Sequence, residues 1–269
     1  MESRTIERDG DRLHGLWRPG EGTPVLLVPG AMADARSFGP VAEALEHPAP
    51  VLVLNRRGRA PSGALGPDYG FETEVADLLA WVAHLGKVRL AGWSYGGTIA
   101  LETAARPEAA ALVEGPVVAY EPVLAPFGRD VLPALSAADP ERAVEIVNVD
   151  LSGFPRERVE ELRSSPDWPV LCSLAAPLAA ELAAIDTFRP DPEAWSRVRA
   201  ELILGERNRG VEPYGPAFDR VADLLPDSRT TLLPGQGHLA HAEDPVALGR
   251  LMGELLSRPA VERPVPAAR

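Results

Sequence analysis

The chain has 269 residues, 45% apolar and 25% charged, the composition of an ordinary soluble globular protein with one large domain or a core domain carrying an insertion. Its 39 acidic against 27 basic side chains give a net charge of -12, which argues against nucleic acid or an anionic membrane as primary partner, since both need a basic footprint. Cys172 is the only cysteine, so an intramolecular disulfide and a paired-cysteine metal site are both excluded. The N-terminal stretch is charged and carries no apolar signal segment. The longest weakly polar stretch, Leu171 to Ile185, is broken by Pro177 and Glu181 and is too short to span a bilayer, so a cytoplasmic location is expected.

In chain order, Thr5–Arg8 and Arg12–Trp17 read as a hairpin turning at Asp9-Gly10. Pro24–Val28 and Val51–Leu54 are nearly continuous apolar runs of the buried-strand type. Between them, Ser37–Glu46 has Phe38, Val41 and Leu45 at helical spacing. Phe71–Leu85 is a second helix, with Val75, Leu78, Leu79 and Val82 on one face and Glu72, Glu74 and Asp77 mostly on the other. Val88–Ala91, Pro116–Tyr120, Glu201–Leu204 and Thr230–Leu233 supply four more strands. Asp244-Pro245 opens the last helix as N-cap and first-turn proline. This alternation predicts an α/β fold with a mostly parallel central sheet of about eight strands flanked by helices.

One segment breaks the alternation. From Pro122 to about Arg199 no strand is evident, and helix starts stand at Asp139-Pro140, Pro155-Arg156 and Asp191-Pro192. A stretch of that length is too long for an ordinary loop and is expected to form a helical lid after the sixth strand. The expected organisation is therefore a core over 1–121 and 200–257, a lid over 122–199, and a disordered tail over 258–269.

The chemistry concentrates at Gly92-Trp93-Ser94-Tyr95-Gly96, which follows a strand and opens a helix. A serine at such a turn stands clear of the carboxyl edge of the sheet, and flanking glycines let strand and helix approach closely. A serine nucleophile needs a base. Among five histidines, His14, His47 and His84 are expected at the surface. His238 follows the last strand on a short loop at the same edge as Ser94, and is preferred over His241 because the latter leads into the final helix. Backbone N–H groups of Tyr95 and of Ala31, on the loop after the Val25–Val28 strand, would form the oxyanion hole.

As a set, Val28-Pro29-Gly30-Ala31, Asn55-Arg56-Arg57-Gly58-Arg59-Ala60-Pro61-Ser62-Gly63, the Gly92–Gly97 elbow and Gly235-Gln236-Gly237-His238 resemble the α/β-hydrolase superfamily. The likeness is to its lid-bearing serine esterase and lactonase branch, over nearly the whole chain. Dehalogenases and epoxide hydrolases share the pattern but carry Asp where this chain has Ser94. Two positions depart from the family. Pro29 replaces a usual histidine that braces the oxyanion loop. Asn208 stands where the resemblance leads one to expect the catalytic Asp, and in a serine enzyme an Asp-to-Asn change can cost about 10⁴ in rate. Some family members take the acid from the end of the strand before the lid, and here that position is Glu121. The order Ser94, Glu121, His238 fits the fold, and Glu206 is the alternative acid.

The resemblance implies a serine hydrolase cleaving an ester, lactone or thioester of a mostly apolar small molecule through an acyl-enzyme, with no metal or organic cofactor. Two other readings stay open: a non-hydrolytic lyase or cyclase on the same scaffold, and a ligand-binding protein with a vestigial triad. Trp93, Tyr95, Phe127, Trp168, Leu171 and Trp195 are candidates to line the pocket. The oligomeric state is not legible.

Overall fold

The computed structural model describes residues 1–258, so the expected disordered tail lies, beyond Arg258, outside the described residues. Eight strands form the sheet: β1 (Glu2–Arg8), β2 (Asp11–Arg18), β3 (Val25–Val28), β4 (Val51–Asn55), β5 (Arg89–Trp93), β6 (Val117–Tyr120), β7 (Ala200–Gly205) and β8 (Ser228–Leu233). Their order is β1-β2-β4-β3-β5-β6-β7-β8. The β1–β2 and β2–β4 pairs are antiparallel and the rest parallel, in agreement with the expected architecture. Asp9 and Gly10 form the two-residue hairpin turn with φ of 54° and 83°, the left-handed pair that matches the twist of the flanking strands.

Alternation along the central strands divides the core. Leu26, Val28, Leu52, Leu54 and Leu90 face one side, while Val25, Leu27, Val51, Val53 and Ala91 face the other. The first set packs against α2 (Phe71–Leu85) and α3 (Tyr95–Ala105), and the second against α1 (Gly39–Ala44). Helix α1 is shorter than the 37–46 expectation. Pro40 stands in its first turn, and Leu45 already adopts an extended conformation ahead of the His47-Pro48 pair.

Between β6 and β7 the chain forms a series of short helices joined by turns, with no strand among the described residues. It comprises α4 (Leu132–Ser136), α5 (Pro140–Glu145), a π-helical turn at Ile146–Leu151, α6 (Arg156–Arg163), α7 (Trp168–Ala175), α8 (Leu178–Thr187) and α9 (Pro192–Trp195). Asp139 and Asp191 cap α5 and α9 by accepting from the backbone N–H groups of Arg142 and Glu193. After β7 come α10 (Tyr214–Asp223), α11 (Ala240–Glu243) and α12 (Pro245–Leu256), which packs with α1; α12 is capped by Asp244. No single helix among the described residues is long and apolar enough to cross a membrane.

Two sequence expectations are corrected. His14 is buried rather than exposed, because β2 lies between β1 and β4. Its ring nitrogens meet Ser3 Oγ at 2.7 Å and Asn55 Nδ2 at 3.2 Å. On α2, only Glu72 is a solvated acid; Glu74 and Asp77 are buried. They are inside because arginines from the loop after β4 meet them there: Arg56 Nη1 lies 2.6 Å from Glu74 and Arg57 Nε 2.6 Å from Asp77.

Candidate active site

The parallel strands deliver their carboxyl ends to one edge of the sheet, where Ser94, Glu121 and the loop bearing His238 follow β5, β6 and β8. Ser94 begins the turn into α3 with φ 53° and ψ -125°, a conformation that costs an L-residue energy. The glycines make the turn feasible. A Cβ on Gly92 would lie 2.5 Å from the Gly96 carbonyl oxygen, and one on Gly96 would fall on the Val28 carbonyl. Among the described residues four non-glycine residues have positive φ, and three of them, Met32, Ser94 and Glu121, lie in this region. Strain is concentrated at the carboxyl edge of the sheet.

The structure brings Glu121 and His238 together. Glu121 Oε2 lies 2.6 Å from His238 Nδ1, and the two side chains are 1% and 7% exposed. The carboxylate also accepts from the Gly205 N–H at 2.8 Å and from the Asn208 amide at 3.0 and 2.8 Å. Asn208 thus stands beside the Glu121 carboxylate and donates to both of its oxygens. Glu206 points elsewhere, exposed and accepting from the Gly235 N–H. The His238 loop is fixed by Trp93 Nε1, which donates to the His238 carbonyl at 2.9 Å, and by Tyr120, whose hydroxyl donates to the Gly237 carbonyl. The Tyr214 ring stacks on the His238 imidazole at 3.7 Å and 15°. A histidine held on one nitrogen by a carboxylate has the other available for proton transfer.

Ser94 and His238 open into one cavity of about 210 Å³. Ala31, Met32 and Trp93 line it from the core, and Phe127, Leu151, Leu171, Leu182 and Ile185 from the helical segment. Of the aromatic and apolar candidates read from the sequence, Trp93, Phe127 and Leu171 are there, whereas Tyr95, Trp168 and Trp195 are not. Tyr95 packs edge-on to Phe71 beneath Arg56, and Trp195 donates its indole N–H to Glu102 at 2.6 Å. His241 also lines the cavity, tilted over Trp93 at 3.8 Å and stacked on Phe38. Burial, reinforced by neighbouring His238, pushes its pKa down to about 3, so it is neutral at ordinary pH. Its Nδ1 has no partner among the described residues.

The loop after β3, which carries Ala31, has a brace that motif reading missed. Arg56 donates from Nε to the Pro29 carbonyl at 2.9 Å and from Nη2 to the Gly30 carbonyl at 2.8 Å. Arg59 Nε donates to the Ala33 carbonyl at 2.7 Å. Both guanidiniums reach Glu181 of α8, Arg56 at 2.7 Å and Arg59 at 2.6 Å. With Glu74 this is a buried cluster of two cations and two anions, joining the loop after β3 to the helical segment. Burial on its own would raise the Glu181 pKa, but Arg56 and Arg59 outweigh it and hold the carboxyl below its usual range. Burial dominates at Glu74, which has one guanidinium against it, and pushes its pKa up. The available signal was three arginines directly after a buried strand, together with acids on a helix otherwise committed to the core.

This strained serine elbow, a buried histidine–carboxylate pair and a mostly parallel eight-stranded sheet are the frame of an α/β hydrolase. The model described as the alpha/beta hydrolase family matches residues 25–250, and the chain belongs to that family. It is 29% identical over 266 residues to the N-formylmaleamate deformylase of Pseudomonas putida KT2440, covering 95% of this chain and 97% of that protein. An alpha/beta hydrolase from Sphaerobacter thermophilus superposes with a TM-score of 0.73 at 25% identity, covering 94% of this chain and 100% of the other. The enol-lactonase of Burkholderia xenovorans LB400 shares the fold with a TM-score of 0.75 at 19% identity, covering 95% and 100%. The family and the deformylase relative support an enzyme of hydrolase type acting on a small molecule.

Proposed function

We propose that this chain is a serine hydrolase that cleaves an ester, lactone or thioester of a mostly apolar small molecule through an acyl-enzyme. The observation that carries this reading is the buried 2.6 Å contact between Glu121 and His238, with His238 and Ser94 both lining one mostly apolar cavity. In this account His238 takes the Ser94 proton as Oγ attacks the acyl carbon, and Glu121 orients the imidazole and stabilises its charged form. The N–H groups of Ala31 and Tyr95 receive the oxyanion. His238 returns the proton to the leaving group, then activates the water that releases the acyl group. The helices over 122–199 act as a lid that excludes water and shapes the pocket. No metal or cofactor is invoked, since the three side chains and two N–H groups suffice for acyl transfer.

A second reading has a specific support. The deformylase relative matches almost the whole chain, and its name describes removal of an N-formyl group, so the acyl bond attacked here would be to nitrogen. The same residues serve both cases and only the leaving group differs. A fluorophosphonate probe tests the shared core of both: it should modify Ser94 stoichiometrically, located by peptide mass spectrometry, and fail on Ser94→Ala. Absence of labelling in the folded wild type would overturn both. A matched ester and formamide then separates the leaving groups.

A further inference from the structure

Among the described residues lining the cavity, Arg158 of α6 is the only one with a permanent charge. Its surroundings leave that charge incompletely used. The guanidinium carbon lies 4.6 Å over the Phe154 ring, which fixes its plane. Nη2 makes one long contact to Glu243 Oε1 at 3.4 Å. Glu243 is itself divided, since Arg207 Nη1 lies 3.6 Å from its other oxygen. Arg158 Nε is buried and has no hydrogen-bond partner among the described residues. A partly exposed ion pair of this length contributes little, whereas an orphaned buried N–H is costly.

A planar guanidinium held against an aromatic ring, with an unsatisfied Nε–H and a wall of apolar side chains around it, suits a carboxylate. Such an anion accepts from Nε–H and a neighbouring Nη–H at once. We propose that Arg158 determines specificity by binding an ionised carboxylate on the substrate, so that the preferred substrates are monoanionic acyl compounds such as half-esters of dicarboxylic acids. The apolar lining holds the carbon chain between the anion and the acyl group presented to Ser94. This rests on the cavity being the substrate site, as in the proposed function, but it concerns binding and not turnover.

The test uses the Ser94→Ala protein, in which binding is separated from chemistry. Monomethyl succinate, glutarate and adipate are titrated against methyl butanoate, pentanoate and hexanoate, following tryptophan fluorescence because Trp93 lines the same cavity. At least one half-ester should bind about tenfold to a hundredfold tighter than its neutral counterpart, the range of a charge-assisted hydrogen bond. Adding Arg158→Gln should abolish the preference, and Arg158→Lys should leave an intermediate one, because charge remains without the fork. Glu243→Gln should increase the preference by removing the competing carboxylate, an effect a merely structural Arg158 would not produce. No preference for any half-ester, or a preference unchanged by Arg158→Gln in a protein that still unfolds cooperatively, would overturn the proposal. Because no turnover is needed, such a result leaves Ser94 labelling intact, and failed labelling leaves this binding result intact.

Discussion

Glu181→Gln removes the shared anion of the buried cluster while keeping side-chain shape. Glu181 is fully buried and accepts from Arg59 at 2.6 and 3.0 Å, with Arg56 at 2.7 Å. Arg56 would keep Glu74 and two backbone carbonyls, but Arg59 would keep only neutral acceptors, the carbonyls of Ala33 and Arg57 and the new amide oxygen, and no anion. The variant therefore leaves one uncompensated positive charge in the interior. Breaking a buried pair in this way costs about 3–5 kcal/mol. Against a typical stability of about 5–15 kcal/mol that is a large fraction, and at about 2–4 °C per kcal/mol it lowers Tm by on the order of 10 °C. Urea denaturation at pH 7 measures the loss directly. Replacing both partners, Arg59→Met with Glu181→Met, leaves the neutral Arg56–Glu74 pair and should recover most of it relative to Glu181→Met alone. The sign with pH follows from the depressed Glu181 pKa. Its contribution is present above the unfolded-state value near 4.3 and is lost as pH falls through the lower folded-state value. A loss under about 1 kcal/mol, or a double variant no more stable than the single one, would refute the view that this cluster ties the helical segment to the loop after β3.

His241 gives a second pH signature. Its folded pKa is about 3 against 6.5 unfolded, so between those values the unfolded chain carries a proton that the folded chain rejects. Stability should therefore fall by about 1.4 kcal/mol per pH unit as pH drops below about 6.5, reaching about 2 kcal/mol at pH 5. His241→Phe should remove this part of the slope in denaturation series from pH 7 to 5; an unchanged slope would count against it. Gly96→Ala drives a methyl group onto the Val28 carbonyl and should cost at least about 1–3 kcal/mol and slow fluorophosphonate labelling of Ser94. Wild-type stability and labelling rate in that variant would contradict the close strand–helix approach.

The sheet was legible because its central strands are short, uninterrupted apolar runs, and because Asp9-Gly10 specifies a hairpin by its backbone alone. The elbow was legible because Gly92 and Gly96 have a steric reason to flank Ser94. His14 was misread because period and composition do not say whether a hairpin strand ends at the edge or inside a sheet. Glu74 and Asp77 were misread for a related reason. A helical face carrying acids looks solvated until the partner arginines, distant in sequence and placed only by the loop after β4, are known. Arg56 as the brace of the Pro29-Gly30 loop was invisible for the same reason: its acceptors are backbone carbonyls, which leave no residue signature. Asn208 was read as a missing acid, and in the fold it is a donor to both oxygens of the Glu121 carboxylate, which required knowing that β6 and β7 are neighbours.

The arrangement centred on Glu121 is tested most directly by comparing Glu121→Gln with Asn208→Ala, using the rate of fluorophosphonate labelling and the turnover of a simple activated ester. If Glu121 orients His238, Glu121→Gln should slow both by about 10⁴, the scale of an acid-to-amide change in a serine triad. Asn208→Ala, which removes only a hydrogen-bonded support of the carboxylate, should slow them by about tenfold. Glu121→Gln within tenfold of wild type, or a larger loss in Asn208→Ala, would contradict the account.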